Sequence, residues 1–313
     1  MGKYSIKKRV LVIGGKNYLG QRIINVLKNK GFSNESILTD SPSRDLRKPG
    51  DCESILKSAD NVIYLDNSAR GILFNEKNSA RLFYDNILVG INLIEKARQL
   101  KIKKFCVIGT VCSYPKNMEI PFKEEEFWSG YPEENNAPYG LAKKILLVQL
   151  QSYKKQYGLN GSYIIPANIY GPGDLADERS SHVIPSLIIK FLKAINKGNP
   201  NITVWGTGRA TRDFLYVDDA AEAIVDLFEK VNYPEPINLG SGRETSIMDL
   251  ALLIKKITGY KGQIKYDISK PDGQPRRALD ISKATSKIGF KPKTLLRDGI
   301  IKTVNYYKKT LKL

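Results

Sequence analysis

At 313 residues the chain is long enough to bury a large core, as one domain or two interlocked ones. No apolar run approaches the length of a membrane span, and Met1-Gly2-Lys3-Tyr4 leads into a strand pattern with no secretory leader, so a cytoplasmic protein without a membrane partner is expected. The net charge of +18 is scattered along the chain, without the concentrated basic stripe of a nucleic-acid site, and Cys52, Cys106 and Cys112 lack metal-ligand spacing. Neither nucleic acid nor metal is an expected partner, although a positive field would gather anionic dinucleotides and sugar nucleotides.

In chain order, Val10-Leu11-Val12-Ile13 reads as a buried parallel strand, and Leu19, Ile23, Ile24 and Leu27 then follow helical spacing. The turn between them carries Gly14 and Gly20, which would let the backbone approach a pyrophosphate at the amino end of the helix. Asn17 stands where a further glycine is expected; asparagine tolerates left-handed dihedrals better than most residues. Ile37-Leu38-Thr39-Asp40 reads as a second strand ending in an acid twenty residues after Gly20. A carboxylate there accepts from the ribose 2′-hydroxyl and repels a 2′-phosphate, which favours NAD(H) over NADP(H). Arg44 nearby argues the other way, and Asp40 opening a turn with Ser41 and Pro42 is the plainer alternative.

Asn61 to Leu65, Lys104 to Gly109 and Ser162 to Ile165 continue the strands, with a helix across Arg81 to Leu100 and another carrying Tyr139. This alternation predicts an α/β fold: a Rossmann-type doubly wound parallel sheet with right-handed crossovers and a smaller C-terminal substrate-binding α/β lobe. Gly14, Asp40, Leu65 and Thr110 all fall at carboxyl ends of strands, where ligands collect in such sheets. Tyr139 and Lys143, four residues apart, share one helix face. A free phenol titrates at about pH 10, and an ammonium one turn away favours the phenolate and moves it toward the working range. Thr110 would hold a substrate oxygen against Tyr139.

From Gly171-Pro172-Gly173 the pattern breaks. His182 to Ala194 reads as a helix and Ile202 to Trp205 as a short strand; Phe214 to Val217 and Ile237 to Leu239 read as returns to the main sheet. Helices near Ile247 to Thr258 and Leu296 to Tyr307 would complete the lid. Residues 1–170 plus 212–242 are thus expected to bind the dinucleotide, and 171–211 plus 243–313 the substrate.

Gly109-Thr110-Val111-Cys112-Ser113-Tyr114-Pro115-Lys116, Pro138-Tyr139-Gly140-Leu141-Ala142-Lys143, Asn168-Ile169-Tyr170-Gly171-Pro172, Ser181-His182-Val183-Ile184-Pro185, Val204-Trp205-Gly206-Thr207-Gly208, Arg212-Asp213-Phe214-Leu215 and Lys270-Pro271-Asp272-Gly273 follow one another in order. Together they resemble the extended short-chain dehydrogenase/reductase superfamily, in its NAD(P)-dependent sugar-nucleotide epimerase/dehydratase branch. Within that branch they are most similar to the GDP-L-fucose synthase family.

The resemblance implies an oxidoreductase acting at C4 of a GDP-sugar. Such an enzyme epimerises C3 and C5 of GDP-4-keto-6-deoxy-mannose and then reduces the C4 ketone. Thr110 and Tyr139 would contact the C4 oxygen, and Lys143 would hold the nicotinamide ribose. Cys112 and His182 would be the epimerisation pair; a thiol and an imidazole both titrate near enough to neutral pH for that role. Gly14, Asn17, Tyr18, Leu19, Gly20, Asp40, Leu65, Asn86 and Asn168 would join Tyr139 and Lys143 around the cofactor. His182, Asn168, Lys190, Trp205, Arg212 and Asp272 would meet the substrate. A homodimer through the helices around Arg81–Leu100 and Tyr139–Tyr157 is implied as well.

Plainer roles compete: His182 as a helix-start residue capped by Ser180 or Ser181, Cys112 as a small buried hydrophobe, Trp205 as core. Asn17, Asp40 and Leu65-Asp66-Asn67 depart from the branch's pattern. They open a second reading, an NAD-dependent C4 dehydrogenase or 4-epimerase of a GDP-hexose or GDP-manno-heptose in surface polysaccharide biosynthesis. That reading uses Thr110, Tyr139 and Lys143 but not Cys112 and His182. A non-catalytic RNA-binding protein on the same fold is the remote alternative.

Overall fold

The computed structural model describes residues 8–41, 43–65, 72–174 and 182–311; expectations resting on residues 1–4, Pro42, Asp66, Asn67, Ser180 and Ser181 fall outside them. The chain begins with β1 (Val10–Ile13), α1 (Tyr18–Asn29), β2 (Ile37–Thr39), α2 (Pro49–Leu56) and β3 (Asn61–Tyr64). It continues through α3 (Ile72–Lys77), α4 (Ser79–Gln99), β4 (Lys104–Ile108), α5 (Ala137–Tyr157), β5 (Asn160–Pro166) and β6 (Asn168–Tyr170). Then come α6 (Val183–Asn196), β7 (Asn201–Trp205), β8 (Thr211–Arg212), β9 (Phe214–Tyr216), α7 (Val217–Lys230) and β10 (Pro236–Leu239). The last elements are β11 (Thr245–Ser246), α8 (Ile247–Thr258), β12 (Gln263–Asp267), α9 (Ser282–Ile288) and α10 (Leu296–Thr310).

Six strands form one all-parallel sheet in the order β10-β5-β4-β3-β1-β2. Its strands are apolar on both sides because both faces are covered. Along β1, Val10 and Val12 pack into a core with Ile23, Ile24 and Leu27 of α1 and Ala220 and Ile224 of α7. Leu11 and Ile13 face the opposite core with Leu56 of α2, Leu93 of α4 and Leu146 of α5. Period-two alternation thus divides one apolar run between two helical layers. Each fully buried aliphatic side chain contributes about 1.5–3 kcal/mol.

The second lobe is built on α6, α8 and α10 with the parallel pair β7–β12. Phe214 to Val217 does not return to the main sheet. The edge beside β5 is taken by β10, so β9 pairs instead with β6, which prolongs the chain of β5 past Ala167. Ile237 to Leu239 does join the main sheet as part of β10.

One close approach fixes the centre of the molecule. A Cβ on Gly140 of α5 would run into the carbonyl oxygen of Cys112, and Ser113 Oγ donates to the Gly140 carbonyl at 2.7 Å. We therefore expect Gly140→Ala to destabilise the fold by about 1–3 kcal/mol, because backbone rather than a flexible side chain would have to yield. Gly50 of α2 has open space at its Cβ position. Gly50→Ala should be neutral or stabilise by up to about 1 kcal/mol. Urea unfolding of the two variants checks this; equal midpoints would contradict the tight contact.

Candidate active site

The turn from β1 into α1 is closed by absent side chains. Gly14 has φ +81°, and a Cβ on it would lie 2.7 Å from the Leu65 carbonyl oxygen. A Cβ on Gly20 would collide with the Gly14 carbonyl and sit 2.6 Å from the Gly15 Cα. Asn17 is not there for a left-handed backbone: its φ is −75°, and it is the N-cap of α1, accepting from Gly20 N–H at 2.6 Å. The first turn of α1 carries no acidic residue, so its dipole and amino end are available to an anion. Asp40, just past β2, accepts from Gly14 N–H at 2.8 Å through one carboxylate oxygen. A glycine turn, a bare helix start and a carboxylate at the end of the second strand fit a nicotinamide dinucleotide.

A cavity of about 420 Å³ opens where this turn, the ends of β3, β4 and β5, and the second lobe meet. Asn17, Tyr18, Leu19 and Leu65 line it from the nucleotide-binding turn and the end of β3. Thr110, Cys112 and Tyr139 line it from the β4–α5 segment, and Asn168 from β6. His182, Lys190, Trp205, Arg212 and Asp272 line it from the second lobe. Among the predicted residues Gly14, Gly20, Asp40, Asn86 and Lys143 are not on the wall. Gly14, Gly20 and Asp40 build the turn behind it. Asn86 is buried in α4, its amide donating to the Leu82 carbonyl at 2.7 Å. Lys143 is buried with Nζ 4.4 Å from the centre of the Tyr64 ring, at the end of β3.

The plainer roles for Cys112 and Trp205 do not hold. Cys112 is half-buried on the cavity wall, whereas Cys52 and Cys106 are the buried thiols. Trp205 is 39% exposed, with Lys190 Nζ 5.3 Å from its ring centre. Thr110 Oγ1 accepts from Cys112 N–H at 3.2 Å, which leaves its own proton to donate. Asp272 takes Thr207 N–H and Oγ1, each at 2.8 Å, so it first holds the loop after Trp205. Asn168 donates from both its backbone and its side-chain amide to the Asp213 carbonyl, at 3.1 and 3.0 Å. Tyr18 donates to the Ile169 carbonyl at 3.1 Å, and burial followed by the Asp174 charge pushes its phenol well up, so it stays neutral.

Sequence reasoning missed two partners. His182 is the N-cap residue of α6 without a side-chain capping bond, and its Nδ1 lies 3.3 Å from Asp174 Oδ2. Burial would lower the imidazole pKa, but the ring is half exposed, and the hydrogen bond and charge of Asp174 hold it above the ordinary histidine value. Arg277, buried on the cavity wall, donates from Nη1 to Cys112 Sγ at 3.6 Å. No spacing rule joins residues eight or 165 positions apart, and the only signal was Asp174 ending the same Gly-Pro-Gly loop. Among the described residues Arg212 donates to the carbonyls of Thr211, Gln274 and Asp272, at 2.7, 2.7 and 3.3 Å. Burial, and then the Arg277 charge, pulls its guanidinium down to about 9. A cation so placed is stabilised by any anion that enters.

The sequence also matches known proteins. Residues 10–240 fit the model of the NAD-dependent epimerase/dehydratase family. A GDP-L-fucose synthase of Sinorhizobium fredii is 38% identical over 298 residues, covering 95% of this chain and 94% of that protein. A GDP-6-OMe-4-keto-L-xylo-heptose reductase from C. jejuni superposes with TM-score 0.90 at 26% identity, over 99% of this chain and 100% of that one. A GDP-L-fucose synthetase from Naegleria fowleri, bound to NADP, gives TM-score 0.86 at 26% identity over 99% and 96%. That relative binds NADP, so the comparisons do not carry the expected preference for NAD, and NAD(P) is the statement they support. With its glycine turn, its parallel sheet and a match over most of its length, the chain belongs to the NAD-dependent epimerase/dehydratase family.

Proposed function

We propose that the protein is an oxidoreductase acting at C4 of a GDP-sugar, with the 3,5-epimerase/4-reductase chemistry of a GDP-L-fucose synthase on GDP-4-keto-6-deoxy-mannose. The observation that carries this reading is the sharing of one cavity wall by Thr110, Tyr139, Cys112 and His182. A C4 reductase needs only the first two; an inversion at C3 and C5 needs the second pair.

Arg212 and Lys190 receive the diphosphate, a buried fork and a point charge respectively. Trp205 offers an exposed ring face to the nucleoside, and Asp272 keeps lone pairs for its hydroxyls. Thr110 and Tyr139 donate to the C4 oxygen, where negative charge develops when a proton leaves C3 or C5. Cys112 takes that proton, and His182, its imidazole pKa raised by Asp174, returns one to the opposite face. Because the imidazole pKa is raised, this acid persists to a higher pH than a free histidine would allow and is lost as pH rises through the raised value. When bound, a nicotinamide would supply the hydride for C4, and Lys143 would hold its ribose; Tyr139 gives its phenolic proton to the C4 oxygen.

Residues 1–170 plus 212–242 serve the dinucleotide in this reading, and 171–211 plus 243–313 the sugar nucleotide. The three free thiols support a reducing, cytoplasmic setting. Phe83 and Tyr84 of α4 and Ile145 and Val148 of α5 are exposed on two helices that pack together, which supports a homodimer through that face. Light scattering should give twice the chain mass; a monomer would set the dimer aside.

NAD(H) is the cofactor we favour. The Asp40 carboxylate stands at the turn, and Arg44, the candidate for a 2′-phosphate, is turned to Asp51 at 3.4 Å. Mass spectrometry of nucleotide released from the purified protein should find NAD or NADH, and NADP would refute the preference. The epimerase half is tested by solvent deuterium exchange into C3 and C5 of the 4-keto sugar. His182→Ala should reduce that exchange by at least about a hundredfold. Unchanged exchange would remove His182 from the reaction.

A further inference from the structure

Arg277 is 7% exposed and reaches the cavity from the segment that follows Gly273. Its Nε and Nη2 both donate to Gln274 Oε1, at 3.1 and 3.0 Å, and Gln274 Nε2 donates in turn to the Lys116 carbonyl at 2.9 Å. Its backbone carbonyl accepts from Asp213 N–H at 3.0 Å. One edge of the guanidinium fork is therefore fixed, and Nη1 is left on the sulfur of Cys112, 3.6 Å away. Among the described residues no carboxylate lies within ion-pair distance of Arg277. A buried guanidinium whose side-chain partners are a neutral amide and a thiol is costly to hold unless one of them becomes an anion.

We propose that Arg277 is the positioning residue of Cys112: it fixes the sulfur on the cavity wall and favours the thiolate. The proposal rests on the epimerase reading above. The proton balance needs no co-reactant. The thiolate takes the proton from C3 or C5 and becomes a thiol, the electron pair of the broken C–H bond forms a double bond to C4, and the carbonyl π pair moves to the C4 oxygen. The charge thus passes from beside Arg277 to Thr110 and Tyr139.

The other groups facing Cys112 act in the same direction or are engaged elsewhere. Arg212 adds a second positive charge from β8, tied to three backbone carbonyls. Lys144 of α5 donates to the Ser113 carbonyl at 3.3 Å, next to the thiol's own backbone. Among the described residues two acids act on this wall: Asp272 accepts from Thr207 N–H and Oγ1, each at 2.8 Å, and Glu133 accepts from the Asn136 side chain at 2.7 Å. Tyr139 and His182 share the cavity, the imidazole held above its ordinary pKa by Asp174. Positive surroundings of this kind make a cysteine reactive.

The test uses the full chain without substrate and follows alkylation of Cys112 by iodoacetamide with peptide mass spectrometry. Cys52 and Cys106 are fully buried, so their peptides are a separate internal control. In Arg277→Gln the rate at about pH 7 should fall about tenfold, while at about pH 10, where an ordinary thiol is ionised, it should match the native protein. That match also shows that the variant is folded and the sulfur accessible. Arg277→Lys should recover most of the loss. In turnover, Arg277→Gln should lower kcat for C3 and C5 exchange with KM nearly unchanged.

Equal alkylation of native protein and Arg277→Gln at about pH 7 overturns the proposal, as does an effect confined to GDP binding, which would make Arg277 a phosphate ligand only. Cys112→Ala separates this from the functional reading. If alkylation depends on Arg277 but exchange survives in Cys112→Ala, the contact stands and the epimerase assignment fails.

Discussion

The site depends on one approach of backbone to backbone. At Gly140 the first turn of α5 lies against the Thr110–Ser113 segment so closely that no side chain fits between them. Ser113 Oγ bonds the Gly140 carbonyl from one side, and Lys144 reaches back from the next turn to the carbonyls of Ser113 and Phe127. Lys144 is itself buried over the rings of Phe127 and Trp128, and burial pulls its ammonium down to about 8. Tyr139 precedes the contact on α5, and Thr110 and Cys112 flank it on the other chain segment. The contact ties the two elements together, and the phenol, the hydroxyl and the thiol share one cavity wall.

The opposite wall is organised by charge. Arg212 and Asp213 are consecutive and point apart. Asp213 is buried and receives Ser241 N–H and Oγ at 2.8 and 2.6 Å, which anchors the strand, while Arg212 faces the cavity. The same Asp213 backbone holds both Asn168 and Arg277. Two guanidiniums are therefore fixed side by side with neutral acceptors, an arrangement that costs stability in the empty protein and is relieved by an anion. Both guanidiniums lie on the wall of the one cavity.

Local features were legible in the sequence; pairings across distance were not. The run Val10–Ile13 and the glycines of the following turn act within a few residues, and the structure has them as expected; Tyr139 and Lys143 both lie on α5, but only Tyr139 lines the cavity. Asn17 was noticed for the wrong reason, because capping depends on a side-chain geometry that residue identity does not reveal. Phe214 to Tyr216 looked like a main-sheet strand because three buried apolar residues read alike in any sheet; only the occupied edge beside β5 sends it to β6. Asp174 had only its place at the end of the Gly-Pro-Gly loop and Arg277 had no signal, since a carboxylate after a loop and a further arginine in a basic chain are ordinary until the fold sets them beside His182 and Cys112. Asp40 marks the turn legibly, but the choice between two phosphate patterns also involves residues outside its strand.

The central claim is that the phenol of Tyr139 exchanges the proton at the C4 oxygen. Single-turnover reduction of an already epimerised 4-keto GDP-sugar by Tyr139→Phe isolates that step from epimerisation. The account predicts a rate at least about a hundredfold below the native enzyme with sugar-nucleotide affinity nearly unchanged. Reduction at the native rate would contradict it.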